Sequence, residues 1–356
     1  MKKTIEIKVP ARENAPETTI YIQIVYDNEE SLKTKPYVFL IPGGPGANHS
    51  NYTPYECIQD EANIIFYDPR GCGLSAKGEP STYTMDNNID DIHYIIKELN
   101  LEQVVILGKS CGAMAALGFA LRYPEEVSSL ILAAGSPSYA FLKTAKKNVL
   151  ARGTEEQIKV CETLWYGSFQ NQDETDHYFK VMAPLYSWKK RNNKPVNSPE
   201  AVYPYSFAAL NEGFRSKIWK FDFTNQLSNV TCPTIILVGD EDWITSPVYS
   251  KQLHNGIPNS VLIMFEKSDH KMESDVPEQF FGAIRNFVKN KEYQIVSDVT
   301  PVETSEEEDC NMQVISAENQ NRGSFFFYKQ EESPEKNNII VKDDAETTGH
   351  QEALKI

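Results

Sequence analysis

The stretch Val104-Val105-Ile106-Leu107-Gly108-Lys109-Ser110-Cys111-Gly112-Ala113 decides how this chain is read. Four apolar residues in a row suit a buried parallel strand, and the Ala/Leu-rich segment from Ala113 to Tyr123 suits a helix. Between them stands a serine with glycine two positions before and two after. A turn this sharp pushes the hydroxyl out past the sheet end, and small residues at those offsets keep the flanking backbone from colliding. Ser110 is therefore a candidate nucleophile. Its partners are expected downstream in the order acid, then histidine, each just after a later strand.

Downstream of Ser110 the histidines are His177, His254, His270 and His350. The run from Pro233 to Val238 reads as a buried strand entering Gly239-Asp240-Glu241-Asp242, and Val261 to Phe265 as the next strand, followed by Asp269-His270. His177 precedes the acid loop, His254 falls in a helix predicted over Ser246 to Ile257, and His350 lies in a polar tail. Elimination leaves His270 as the base that takes the serine proton. Asp240 and Asp242 compete to orient it. Asp240 lies at the strand end, where a side chain turns into the loop or caps the next helix. Asp242, two residues further, stands nearer the next strand's histidine and is preferred.

Attack on a carbonyl places negative charge on its oxygen, which two backbone donors should meet. One is the N–H of Cys111, whose thiol is given no part. The other is expected from Gly43-Gly44-Pro45-Gly46, which follows the apolar strand Pro36 to Ile41, and Gly44 is the choice. A lone GxSxG recurs by chance. Here three separate placements agree, so Ser110, Asp242 and His270 are read as a catalytic triad.

Strands and helices alternate around this segment. Ile5–Val9 and Thr19–Tyr26 alternate as an antiparallel opening pair. Asn63–Tyr67 and Leu130–Leu132 read as buried strands, and Asp86 to Leu99 as an amphipathic helix. The expected fold is α/β, a mostly parallel sheet flanked by helices. Periodicity breaks from about Pro137 to Ser228, and a last helix is predicted over Pro277 to Lys289. The division is residues 1–136 and 229–290 as the two parts of the core, 137–228 as an inserted helical cap, and 291–356 as a tail. That tail carries 15 Asp/Glu against 6 Lys/Arg and too little apolar surface to offset the entropy of ordering, so disorder is expected.

The 356 residues, 40% hydrophobic, suffice for one large core with an inserted lobe. A net charge of −15 argues against a nucleic-acid partner. Six scattered cysteines without a CxxC pair suit a reducing compartment, and no apolar run approaches a membrane span or a signal-peptide core. A cytoplasmic protein with no membrane partner is expected. No metal spacing and no cofactor motif is present. Asp90, Asp91 and His93 are read as a solvated helix face, and His49 as shaping the loop after Gly46.

These motifs together resemble the proline iminopeptidase (prolyl aminopeptidase) group of the α/β-hydrolases. Gly43-Gly44-Pro45-Gly46 is similar to that group's GGPG loop, and Asp68-Pro69-Arg70-Gly71-Cys72-Gly73-Leu74-Ser75 to its D-x-R-G-x-G-x-S segment. Gly108 to Gly112 resembles its elbow, Gly239 to Asp242 its G-x-x-D acid loop (which adds to the preference for Asp242), and Ser268-Asp269-His270 its histidine loop. The resemblance spans about Val38 to Val288. It implies an α/β-hydrolase fold and release of an N-terminal residue, often proline, from small peptides through an acyl-enzyme. It also implies that Glu212, in Asn211-Glu212-Gly213-Phe214, anchors the substrate's α-ammonium.

The chain departs from the group in two places. Pro42 stands where the group's loop has histidine, and Trp243 where the most similar peptidases carry a glutamate after the acid. An indole offers an ammonium its π face but no charge. A carboxylesterase or amidase acting on a small ester or amide is therefore the alternative, with a non-catalytic binding protein as the third reading. Cap aromatics (Trp165, Tyr166, Tyr186, Trp188, Tyr203, Tyr205, Phe207, Trp219) suit a small apolar acyl group or core packing.

Overall fold

The computed structural model describes residues 1–196, 199, 201–217, 220–290 and 312–314. One sheet organises them. Its strands are β1 (Lys2–Val9), β2 (Thr18–Val25), β3 (Tyr37–Ile41), β4 (Asn63–Tyr67), β5 (Val104–Lys109), β6 (Val127–Ala133), β7 (Thr234–Gly239), β8 (Ser260–Phe265) and the three-residue β9 (Met312–Val314). In space they run β1-β2-β4-β3-β5-β6-β7-β8-β9. From β4 to β8 every pairing is parallel, while β1, β2 and β9 join antiparallel at the margins. The loops after β3, β5, β7 and β8 therefore all open at one sheet edge.

Alternate side chains of a strand face opposite ways, and both faces of this sheet are covered. Phe39, Ile41, Ile106, Leu130, Leu132, Ile236 and Val238 pack on one side with Ile89, Ile92, Ile95 and Ile96. Those isoleucines come from α2 (Met85–Glu98), which follows the single turn α1 (Ser31–Thr34). Helices α3 (Cys111–Arg122) and α9 (Pro247–Gly256) complete that layer. Val38, Leu40, Val105, Leu107, Ile131, Ile235 and Leu237 face the other way, onto Tyr52, Tyr55 and Ile58 and the stripe Phe280, Phe281, Ile284 and Phe287 of α11 (Pro277–Asn290). Each such side chain, fully buried, contributes about 1.5–3 kcal/mol. The continuous apolar runs predicted as strands are thus strands buried on both faces.

Between β6 and β7 the chain forms α4 (Phe141–Arg152), α5 (Glu155–Trp165), α6 (Gln172–Tyr186), α7 (Trp188–Arg191) and α8 (Phe207–Glu212). Phe141, Leu142, Leu164, Trp165, Tyr178 and Met182 share a third core there with Met114 of α3 and with Trp243. The turn α10 (Met272–Asp275) precedes α11. The reading of residues 291–356 as a disordered tail falls outside the described residues, apart from β9, which pairs with β8. Among the described residues no helix is long and apolar enough to cross a membrane.

The α2 reading needs correction at its polar residues. Asp91 is buried, and its carboxylate takes Arg70 through Nε at 2.5 Å and Nη2 at 2.8 Å, with Arg12 Nη2 at 2.5 Å. Asp90 accepts hydrogen bonds from Arg122 and Tyr123, while His93 stacks on Tyr123 at 4.2 Å and pairs with Glu126. Asp91 is thus not solvated, while Asp90 and His93 are paired but still partly exposed. Their partners come from other elements, so helical spacing alone did not reveal them.

Candidate active site

Ser110 sits where β5 turns into α3, with φ 58° and ψ −123°. Positive φ is costly for any residue carrying a Cβ, and the surroundings hold it here. The Ser110 N–H donates to the Ala133 carbonyl at 2.8 Å. A Cβ on Gly108 would lie 2.3 Å from the Gly112 carbonyl oxygen, and one on Gly112 would lie 2.1 Å from that of Ile41. Two glycines are thus what let helix and strand close up behind the serine.

From the loop after β8, His270 brings Nε2 to 2.9 Å from Ser110 Oγ, and its Nδ1 lies 2.8 Å from Asp242 Oδ2. Asp242 is fixed in turn: its Oδ1 accepts from the N–H groups of Ile244 at 2.8 Å and Thr245 at 3.0 Å, and its Oδ2 from Thr245 Oγ1 at 2.9 Å. Burial works to raise the Asp242 pKa, but His270, Lys109 and the Thr245 hydroxyl outweigh it and hold the carboxyl below its usual range. Asp240 does something different. It accepts from the Ser268 N–H at 3.2 Å, while the Glu241 N–H donates to the Ser268 carbonyl at 3.0 Å. Those two bonds lace the acid loop to the histidine loop.

Around Ser110 opens a cavity of about 940 Å³. Gly44, Cys111, Trp243 and His270 line it, with Trp165, Tyr186, Tyr203 and Tyr205 from the β6–β7 insertion. Trp243 is 2% exposed and meets Tyr186 edge-on at 5.9 Å, and Tyr186 meets His270 edge-on at 5.8 Å. In the β3 loop, the Gly43 N–H is already taken by Tyr52 Oη at 2.6 Å. Gly44 follows with φ 111°.

Compared with known proteins, residues 36–272 match the family model described as the alpha/beta hydrolase fold. A proline iminopeptidase of Pestalotiopsis fici is 30% identical over 71% of this chain and 92% of its own length. The proline iminopeptidase of Saccharolobus solfataricus is 27% identical over 69% of this chain and 82% of its own. The chain belongs to the α/β-hydrolase fold family, in its proline iminopeptidase group. Among solved structures, an α/β fold family hydrolase from Bacillus anthracis superposes with TM-score 0.65 at 20% identity, covering 81% of this chain and 98% of that one. The proline iminopeptidase of Mycobacterium smegmatis gives TM-score 0.58 at 18% identity, covering 80% and 97%. At such identities the superpositions speak for the shared fold.

Within this hydrolase not every expected site residue reaches the serine cavity. Glu212 lines a smaller cavity of about 70 Å³ with Gly43, Pro45 and Cys111, and among the described residues no other carboxylate lines it. Cys111 borders both cavities. Of the cap aromatics, Tyr166 is 75% exposed and Trp219 lies outside the described residues. Cys111 is half-buried, and desolvation of its thiol pushes the pKa up to about 12 and keeps it protonated at neutral pH. His49 donates its main-chain N–H to Asp68 Oδ1 at 2.7 Å, with Nδ1 at 2.8 Å from the same oxygen, and so shapes the β3–β4 region as expected.

Sequence reading missed the charged residues at the back of the site. Lys109, the variable residue of the elbow, is buried and donates to the His270 carbonyl, with Glu273 Oε2 3.3 Å from its Nζ. Asp269 pairs with Arg191 of α7 and, at 3.3 Å, with Arg152 of α4, so the histidine loop is tied to the insertion above it. A lysine closing an otherwise apolar strand was the available signal, since a buried ammonium requires partners. Among the described residues no group of three or more His, Cys, Asp or Glu is placed to hold a metal ion.

Proposed function

We propose that this hydrolase cleaves by an acyl-enzyme on Ser110 and releases the N-terminal residue, proline preferred, from small peptides. The observation that carries it is the unbroken hydrogen-bond chain from Ser110 Oγ through both nitrogens of His270 to Asp242. His270 takes the hydroxyl proton as Oγ attacks the scissile carbonyl, and the Asp242 carboxylate stabilises the imidazolium that results. The oxyanion is met by the N–H of Cys111, at the first position of α3 where no intrahelical acceptor exists, and by that of Gly44. Gly44 is the choice because Gly43 is engaged by Tyr52. His270 then returns its proton to the leaving nitrogen, and water attacks the acyl-serine by the same route. Residues 137–228 act as the cap over the cavity, and no cofactor takes part. The names of the relatives support the peptide substrate. The unpaired thiols among the described residues support a reducing, cytoplasmic setting.

A second reading, an esterase or amidase for a neutral acyl group, is favoured by the uncharged indole of Trp243 on the cavity wall and by Glu212 facing a different cavity. Proline naphthylamide and short acyl esters assayed side by side separate the two. Peptidase activity supports the first reading, and ester turnover alone rejects it. On the first reading Glu212→Ala raises KM for free-amine substrates only. A fluorophosphonate probe labels Ser110 in the native protein, and failure to label would leave a binding protein.

A further inference from the structure

One wall of the serine cavity is cationic although the whole chain carries a net charge of −15. Lys109, Lys190, Lys271 and Glu273 line that wall. Lys109 and Glu273 neutralise each other at 3.3 Å. Asp275, the next carboxylate along, is fully engaged: it accepts from Ser187 Oγ and from the N–H groups of Trp188, Lys189 and Asp269. Asp176 and Lys180 also line the cavity, but ten and six residues before Tyr186 on α6, about 15 and 9 Å along the helix, and they are one of each sign. Lys190 and Lys271 are left in excess.

Lys271 is the better placed of the two. It follows His270 directly, and its N–H donates to the Tyr186 carbonyl at 2.9 Å, which fixes the main chain under its side chain. Among the described residues its ammonium makes no hydrogen bond and no ion pair. Burial lowers its pKa; Glu273 and, to a smaller extent, Asp275 oppose that shift, while Lys190 and Lys109 add to it. A half-buried ammonium with carboxylates nearby but none in direct contact is a ready partner for an anion.

The chemistry says which side of the scissile bond this anion occupies. His270 must hand its proton to the leaving nitrogen, so the leaving group lies toward His270 and away from the Gly44 and Cys111 donors. In a dipeptide only one carbon separates that nitrogen from a free carboxylate. We propose that Lys271, backed by Lys190, is an anion subsite for the carboxylate of the leaving residue, so that dipeptides are preferred over amidated or longer peptides. The identity of that anion rests on the aminopeptidase reading above.

The test compares Pro-Ala with Pro-Ala-amide on the full-length protein and on its Lys271→Met and Lys271→Arg variants. The expected kcat/KM preference for the free acid is about 10- to 100-fold. It collapses to within about twofold in Lys271→Met and largely persists in Lys271→Arg. A wild-type ratio near one, or a ratio unchanged in Lys271→Met, overturns the proposal. Calorimetric binding of N-acetylalanine against its amide gives a readout independent of peptide cleavage. If no peptide is cleaved but the acid alone binds and Lys271→Met abolishes it, the aminopeptidase reading fails and the anion subsite stands. If acid and amide bind alike, the subsite falls whatever the enzyme cleaves.

Discussion

The ammonium of Lys109 donates a hydrogen bond to the main-chain carbonyl of His270, joining the residue before the proposed nucleophile to the proposed base. The two are 161 positions apart in the chain and meet because β5 and β8 end at the same sheet edge. The contact ties the main chain of His270 to the end of β5.

Lys109→Met removes that tether and leaves Glu273 without its cation. The folded enzyme should lose roughly 10- to 100-fold in kcat with KM little changed, since a small displacement of a catalytic group is enough for such a loss. Stability should fall by about 3 kcal/mol, as when one member of a buried pair is deleted. Steady-state kinetics and denaturant unfolding read the two effects separately.

Asp242 and Asp240 should part company on mutation. Asp242→Asn is expected to cost roughly 10⁴-fold in kcat by offering His270 the wrong hydrogen-bonding partner. Asp240→Ala removes one loop-to-loop hydrogen bond and should cost about 1 kcal/mol of stability with kcat within a few-fold of normal. Assaying the pair on one substrate tests the assignment, and the reverse pattern would exchange their roles.

The depressed pKa of Asp242 has a consequence for pH. Although burial pushes the other way, His270, Lys109 and Thr245 favour its ionised form in the folded state. Its stabilising contribution is therefore full above the unfolded carboxyl value of about 3.9 and is lost as pH falls through the lower folded value. The difference in Tm between the wild type and Asp242→Asn should stay constant from about pH 5 to 8 and shrink only below about pH 4. Thermal unfolding across that range checks it, and a difference that shrank near neutrality would contradict it.

Asp91 makes a prediction about stability alone. Asp91→Ala strands two guanidiniums, Arg70 nearly fully buried and Arg12 partly so, at an expected cost of about 3–5 kcal/mol. Since Asp91 touches neither Ser110 nor His270, kcat/KM per folded molecule should stay within about threefold. Chemical unfolding followed by active-site titration separates lost protein from lost catalysis.

The sequence by itself determined the backbone frame and the order of the site. Continuous apolar runs marked strands covered on both faces, the Gly108–Gly112 turn marked the elbow, and chain order singled out His270, because each of these signals lies within a few neighbouring residues. Only the tertiary structure decided where the charges went. Lys109 against His270 and Glu273, Asp91 against Arg12 and Arg70, and Glu212 in the small cavity it shares with Gly43, Pro45 and Gly46 depend on elements far apart in the chain. Hydrophobic periodicity is imposed by the local geometry of helix and strand. An ion pair is imposed by whichever distant segment packing brings within about 3 Å, and no local pattern records that.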